Sequence, residues 1–262
     1  MLSDPLLTVR FEGGHEVPLL VWRAPAGLPA ISSAPLGGGI GVRGWVLNAT
    51  VPMSYDRNDP DRHLMELAAG LDLSGPGVGH LTGVDVAEVV PAEAAGVRVW
   101  ATVGLGAPIW AADEAVPAGP VEAARPVGSS GSVGAVGSVG SSGPAGSGPR
   151  VGTVNIVAMV PARLSAAALV NAVATATEAK AQALWELGLP ATGTATDAVT
   201  VLCAPTGPVE AYGGPRSRYG APLARAVRRA VLDGGRAAAV PWSDRFVPRS
   251  GGTGLWPSRL PG

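Results

Sequence analysis

The chain has 262 residues, 47% of them apolar and 15% charged, with a formal net charge of -1. That balance favours a compact fold over disorder across most of the length and gives no electrostatic case for nucleic acid. No run of about 20 uninterrupted apolar residues is present, so a membrane span is not expected. The single Cys203 can make no internal disulfide, and no Cys/His cluster has zinc spacing, so neither metal nor cofactor is expected. The opening MLSDPLLTVRFEGG lacks a charged leader followed by an apolar core, which leads to an expected cytoplasmic location.

Taken in chain order, LLTVRFEG and PLLVWRAP alternate as a hairpin across Gly13-Gly14. After the glycine-rich PLGGGIGVRG, GWVLNATVP reads as a strand. Asp59-Pro60 supplies an N-cap and a first-turn proline for the helix DRHLMELAAGL. VDVAEVVPA and VRVWATVGL read as two strands joined at Ala95-Gly96.

The tract VGSSGSVGAVGSVGSSGPAGSGPR then interrupts the pattern. It has no periodicity and almost no charge, as expected of a flexible linker or loop insertion. Beyond it, GTVNIVAMVP alternates with period two, and Ser165 caps a long alanine-rich helix that stops at Gly188 with Pro190 beyond. AVTVLCAP is the next strand and APLARAVRRAVLDGG a final helix. Strand, helix, strand over this distance is a βαβ crossover and predicts parallel pairing. The expected class is α/β, with α+β possible. Its sheet is mixed, with antiparallel hairpins in the N-terminal half, a βαβ unit in the C-terminal half, and helices packed on it. The expected organisation is one domain over 1–240, interrupted by an insertion at about 117–150, with a poorly ordered tail over 241–262.

The polar residues inside these elements are unusual. Asparagine is depleted from strands, yet Asn48 shares a strand face with Thr50, and Asn155 shares one with Thr153. Two such pairs suggest a polar pocket floor, or else two solvent-facing edge strands. On the long helix, Asn171, Thr175, Glu178 and Gln182 form one stripe at spacings of four, three and four. It reads as a wall for a ligand rich in amides and hydroxyls, or as a weakly charged outer face. Glu178 stands nine residues before Leu187, about 14 Å along the axis. The helix end leads into ATGTATDA, so Glu178 and Asp197 are expected to border one cleft and to divide acid and base roles. Gly38 and Gly39, beside Ser32 and Ser33, are candidates for close backbone approach to a ligand. His63 reads as a surface residue and Cys203 as a small buried hydrophobe.

GTVNIVAMVP, LVNAVATATEAKAQAL and ATGTATDAVTV, in this order and spacing, closely resemble the adenosylcobinamide amidohydrolase (CbiZ-type) family. SSAPLGGGIG, LNATVP and VRVWATVGL resemble its N-terminal half, whereas HLTGVDV, with His80, is a looser version of its pattern. The resemblance implies an amide hydrolase of cobamide salvage that converts adenosylcobinamide to adenosylcobyric acid and 1-amino-2-propanol. The implied partner is a small-molecule corrinoid. A corrinoid-binding protein without hydrolase activity is the alternative. Residue chemistry offers two mechanisms. In one, Asp197 or Glu178 activates water, with Asn155, Asn48 or backbone N–H groups stabilising the oxyanion. In the other, Thr194 or Thr196 is a hydroxyl nucleophile that passes through an ester.

Overall fold

The computed structural model describes residues 2–112 and 152–237. The expected insertion at 117–150 and the tail over 241–262 lie outside the described residues. The elements run β1 (Leu6–Glu12), β2 (His15–Ser32), β3 (Gly39–Thr50), α1 (Pro60–Gly70), β4 (Gly77–Thr82), β5 (Val90–Ala94) and β6 (Val97–Leu105). The second described stretch holds β7 (Gly152–Val160), β8 (Arg163–Leu164), α2 (Ala166–Glu186), β9 (Ala198–Cys203), β10 (Val209–Glu210) and α3 (Gly220–Arg236).

Eight strands form one mixed sheet in the order β4-β3-β2-β9-β7-β6-β5, with β1 also paired to β2. The expected hairpin of β1 and β2 is antiparallel, and β7 pairs with β9 in parallel across the α2 crossover. Strands from both described stretches therefore interleave in one sheet. The N-terminal half holds a second parallel unit as well, because β3 and β4 pair in parallel across α1. Two further details differ from the sequence reading. In VDVAEVVPA, Asp85 accepts a hydrogen bond from the Ala87 N–H and caps a single 3-10 turn, so the strand begins only at Val90. Asp59 does sit before Pro60, but its carboxylate makes no cap bond and instead pairs with Arg57.

Alternation decides which face each strand buries. The even residues Val154, Ile156 and Ala158 of β7 and the odd residues Val199 and Val201 of β9 pack beneath α2 and α3. The alanine stripe of α2 (Ala168, Ala172, Ala176, Ala183) lets that helix sit close to the strands. On the other half of the sheet, Leu47 and Ala49 of β3 pack under Leu64 and Ala68 of α1. The opposite faces of both halves, including Trp22, Val46, Trp100, Val157 and Leu202, share one core.

That shared core requires curvature. Strands β3 and β6 are four steps apart in the sheet, about 19 Å if it were flat, yet Asn48 Nδ2 donates to Thr102 Oγ1 across 3.1 Å. The sheet therefore curls until its two halves face each other, with the helices on the outside. The inside of the curl is apolar along most of its length and polar at one end.

Candidate active site

The polar end is built from one residue on each of several strands. Asn48 of β3 is aligned with His80 of β4, and Asn155 of β7 is aligned with Thr102 of β6 and Ala198 of β9. Asn155 Nδ2 donates to Asn48 Oδ1 at 3.0 Å and to the Leu81 carbonyl at 2.9 Å. His80 Nε2 lies 2.7 Å from Thr200 Oγ1, which lies 2.7 Å from Ser32 Oγ. All of these side chains are buried. Burial pushes the His80 imidazole down to about 4, only partly offset by the Asn155 side chain, so it is neutral near pH 7. Thr50, on the same face of β3 as Asn48, donates to the Val84 carbonyl and accepts from the Val86 N–H, fixing the chain that leaves β4.

A cleft of about 480 Å³ opens over this floor. Its lining includes Asn155 and Thr153 of β7 and Leu81, Thr82 and Gly83 at the end of β4. Thr196, Asp197 and Ala198 of the loop into β9 line it too, as do Tyr55, Arg57, Pro60, Ser33 and Pro35. Thr153 Oγ1 and Thr196 Oγ1 are 2.7 Å apart, a hydroxyl pair inside the cleft. Tyr55 stacks on His63 at 5.5 Å between ring centroids, and its hydroxyl lies 3.1 Å from His63 Nδ1. His63 is thus buried in the wall behind the cleft rather than on the surface, and desolvation lowers its pKa.

The loop ATGTATDA closes on an ion pair. Asp197 accepts from the backbone N–H groups of Val154 (2.8 Å) and Thr194 (3.0 Å), from the Thr194 hydroxyl, and from Lys180 Nζ. Each carboxylate oxygen thus takes two donors, filling the strong acceptor positions of the group. The side chains of Lys180 and Asp197 are only 7% and 10% exposed. Gly193 makes the pair possible, since a Cβ there would lie 2.5 Å from both Asp197 Oδ2 and Lys180 Nζ. The loop is also tied to β-bridged Ile109, whose N–H donates to the Gly193 carbonyl.

The structure brings together Asn48, Thr153, Asn155, Thr194, Thr196 and Asp197, with Thr50 just beneath them. It separates the helix stripe from this group. Glu178, Asn171 and Gln182 are exposed on α2, Gln182 donates to Glu186, and buried Thr175 donates to the Gly213 carbonyl. The expectation that Glu178 borders the cleft is therefore corrected: the face of α2 that turns inward carries Lys180, not Glu178. Gly38 precedes β3 and Gly39 begins it, neither among the residues that line the cleft, and the Gly38 carbonyl accepts from Arg43. Lys180 and His80 are the contributors missed from the sequence. Lys180 stands four residues from both Ala176 and Leu184, so the same periodicity that buries those residues buries a lysine. His80 carries no comparable signal, because β4 itself reads as a glycine-rich loop. Among the described residues, no three His, Cys, Asp or Glu side chains converge to hold a metal ion. No helix among them is long and apolar enough to cross a membrane.

Comparison with known proteins bears on what this cleft does. The family model for adenosylcobinamide amidohydrolase, CbiZ, matches residues 6–239. The chain belongs to this family. It is 39% identical over 94 residues to an adenosylcobinamide amidohydrolase of Methanosarcina mazei, covering 32% of this chain and 47% of that protein. A protein of the same name from Halobacterium salinarum is 47% identical over 81 residues, covering 30% of this chain and 34% of its own length. An uncharacterized protein of Methanocaldococcus jannaschii is 37% identical over 91 residues, covering 32% of this chain and 35% of its own. The matched stretches thus span less than half the length of these curated relatives.

Proposed function

We propose that this chain hydrolyses the amide that attaches the aminopropanol arm of adenosylcobinamide, yielding adenosylcobyric acid and 1-amino-2-propanol. Family membership supports the reading, and the observation that carries it is the chemistry of the cleft. Its base and loop wall offer amides and hydroxyls, from Asn155, Thr153, Thr196 and Thr82, to a substrate that carries amides and hydroxyls of its own. An unpaired buried polar group costs about 1–3 kcal/mol, so such a lining selects a ligand that can answer each group. A volume of about 480 Å³ suits a group of drug-like size. The arm enters the cleft and the macrocycle stays at its mouth.

Of the two mechanisms open to these residues, the geometry favours the hydroxyl nucleophile. Asp197 is a poor activator of water, because its oxygens already accept from four donors. Glu178 is remote from the cleft lining. Thr196, by contrast, presents its hydroxyl in the cleft, 2.7 Å from that of Thr153. In this mechanism Thr196 Oγ1 attacks the amide carbon, and its proton passes through the Thr153 hydroxyl to the leaving nitrogen. The C–N bond breaks and the free amine departs, leaving an ester on Thr196. Water then cleaves the ester, giving the carboxylic acid and restoring the hydroxyl. Asp197 holds the loop so that this hydroxyl points at the substrate.

Acid-quenched reactions analysed by mass spectrometry test the scheme. An adduct of the acyl product on the peptide bearing Thr196, absent in Thr196→Val, is the expected result. Wild-type turnover by Thr196→Val with no adduct in either protein contradicts the nucleophile. Binding of adenosylcobinamide with no aminopropanol released would make the chain a corrinoid-binding protein instead.

A further inference from the structure

Two of the buried side-chain atoms without a hydrogen-bond partner belong to residues of one network, His80 Nδ1 and Asn155 Oδ1. The amide end of that network has a fixed direction. Asn155 Nδ2 is a donor only, so its bonds to Asn48 Oδ1 and the Leu81 carbonyl fix Asn155 Oδ1 on the opposite side. Asn48, having accepted on its oxygen, turns Nδ2 to Thr102 Oγ1. At the other end, Ser32 Oγ accepts from the Ala34 N–H and shares a hydrogen bond with Thr200 Oγ1 in which either hydroxyl can donate. Thr200 Oγ1 also lies 2.7 Å from His80 Nε2, which accepts from it or donates to it according to the tautomer.

The hydroxyl end accepts either tautomer of His80, but only one tautomer makes the two unpartnered atoms complementary. A proton on Nδ1 leaves Nε2 free to accept from Thr200 and gives the ring a donor for Asn155, the side chain it interacts with, whose Oδ1 is the unpartnered acceptor. A proton on Nε2 is accommodated by Thr200, which can accept from both the ring and Ser32, but it makes Nδ1 an acceptor and leaves Asn155 Oδ1 without a donor. We propose that His80 is a positioning residue of the cleft, a neutral imidazole protonated on Nδ1 that holds Asn155, and through it Asn48, in a single amide orientation beneath the substrate. The functional half of this proposal rests on the reading of the cleft as the amide-hydrolysis site. The tautomer itself does not. The imidazole reaches no reacting atom: it is fully buried behind Asn155, which lines the cleft.

The chain has three histidines, so long-range ¹H–¹⁵N correlation spectra of the uniformly labelled wild-type protein, without substrate, resolve the tautomer directly. The His80 signals are assigned by their loss in His80→Gln. Expected is a neutral ring with protonated Nδ1 and unprotonated Nε2 between pH 5 and 8. Protonated Nε2, or an imidazolium at pH 7, overturns the proposal. In Asn155→Asp the acceptor becomes a carboxylate, and the ring is expected to gain a second proton near neutral pH. An unchanged His80 spectrum in that variant also overturns the proposal. With adenosylcobinamide as probe, His80→Gln is expected to lose roughly tenfold in kcat/KM, mainly through KM, as one misaligned hydrogen bond would cost. Wild-type kcat/KM in a folded His80→Gln enzyme refutes the positioning role. If the variant does not fold, the wild-type spectrum still decides. A wild-type protein that shows the Nδ1 tautomer but releases no aminopropanol refutes the amidohydrolase reading and leaves the hydrogen-bond assignment intact.

Discussion

Replacing Asp197 with alanine does three kinds of damage at once. It leaves the Lys180 ammonium buried without its partner, at a site where that side chain is 7% exposed. It orphans the N–H groups of Val154 and Thr194, and it frees the Thr194 hydroxyl. Breaking a buried pair from one side costs about 3–5 kcal/mol, and each stranded N–H adds about 1–3 kcal/mol. These losses are not additive, but about 5 kcal/mol is a conservative sum, comparable with the whole stability of many domains. Lys180→Met is milder. It removes the cation but leaves Asp197 with the three donors of Val154 and Thr194, so about 3 kcal/mol is expected, the lower end of the range for a broken buried pair. Asp197→Asn keeps one acceptor oxygen and falls between the two. Urea unfolding followed by circular dichroism reads the order directly, as midpoint shifts at constant m. Asp197→Ala should be the least stable, or fail to fold, and Lys180→Met the most stable of the three. Equal midpoints for Asp197→Ala and Lys180→Met would refute the view that the carboxylate is the hub of the loop.

Further outcomes follow from the same geometry. Gly193→Ala forces a Cβ to 2.5 Å from Asp197 Oδ2 and Lys180 Nζ, and should lower stability by about 1–3 kcal/mol in the same denaturation assay. The depressed pKa of His80 makes stability depend on pH. The unfolded state binds more protons than the folded state between about 4 and 6.5, so this contribution is complete above the upper value and is lost as pH falls toward the lower. Its size is about 3 kcal/mol. His63 acts with the same sign, so the informative measurement is the difference between wild type and His80→Gln, whose pH dependence should be flatter over this range. Thr196→Val keeps the shape of the side chain and removes the hydroxyl, and should reduce amide hydrolysis at least about 100-fold, measured as aminopropanol released.

The elements that build this site were legible where period and capping agree. β7 alternates cleanly, and α2 runs from a Ser165 cap that accepts from the Ala168 N–H. The placement of Asn48 and Asn155 on strand faces pointed to a polar floor, and the two side chains do meet. Their meeting was not itself legible, because it depends on the curl of the sheet. Periodicity assigns a residue to a face, but it does not say that two faces three strands apart turn toward each other. The same limit explains Glu178. Spacing placed it on a stripe of hydrogen-bonding groups, but the side of the helix that packs on the sheet is set by the alanines, and Lys180 lies among them. β4 escaped because GVGHLT combines two glycines with a histidine, a composition that locally favours a loop. Close packing explains those glycines: a Cβ at Gly77 would lie 2.0 Å from the Trp45 ring, and one at Gly79 would lie 2.9 Å from Leu64.

The most direct test of the account is to incubate the purified chain with adenosylcobinamide and quantify free 1-amino-2-propanol beside adenosylcobyric acid. Equal amounts of the two products from the wild-type protein, and neither from Thr196→Val, are the predicted result. Tight binding of the corrinoid with no amine released by the wild-type protein would contradict it.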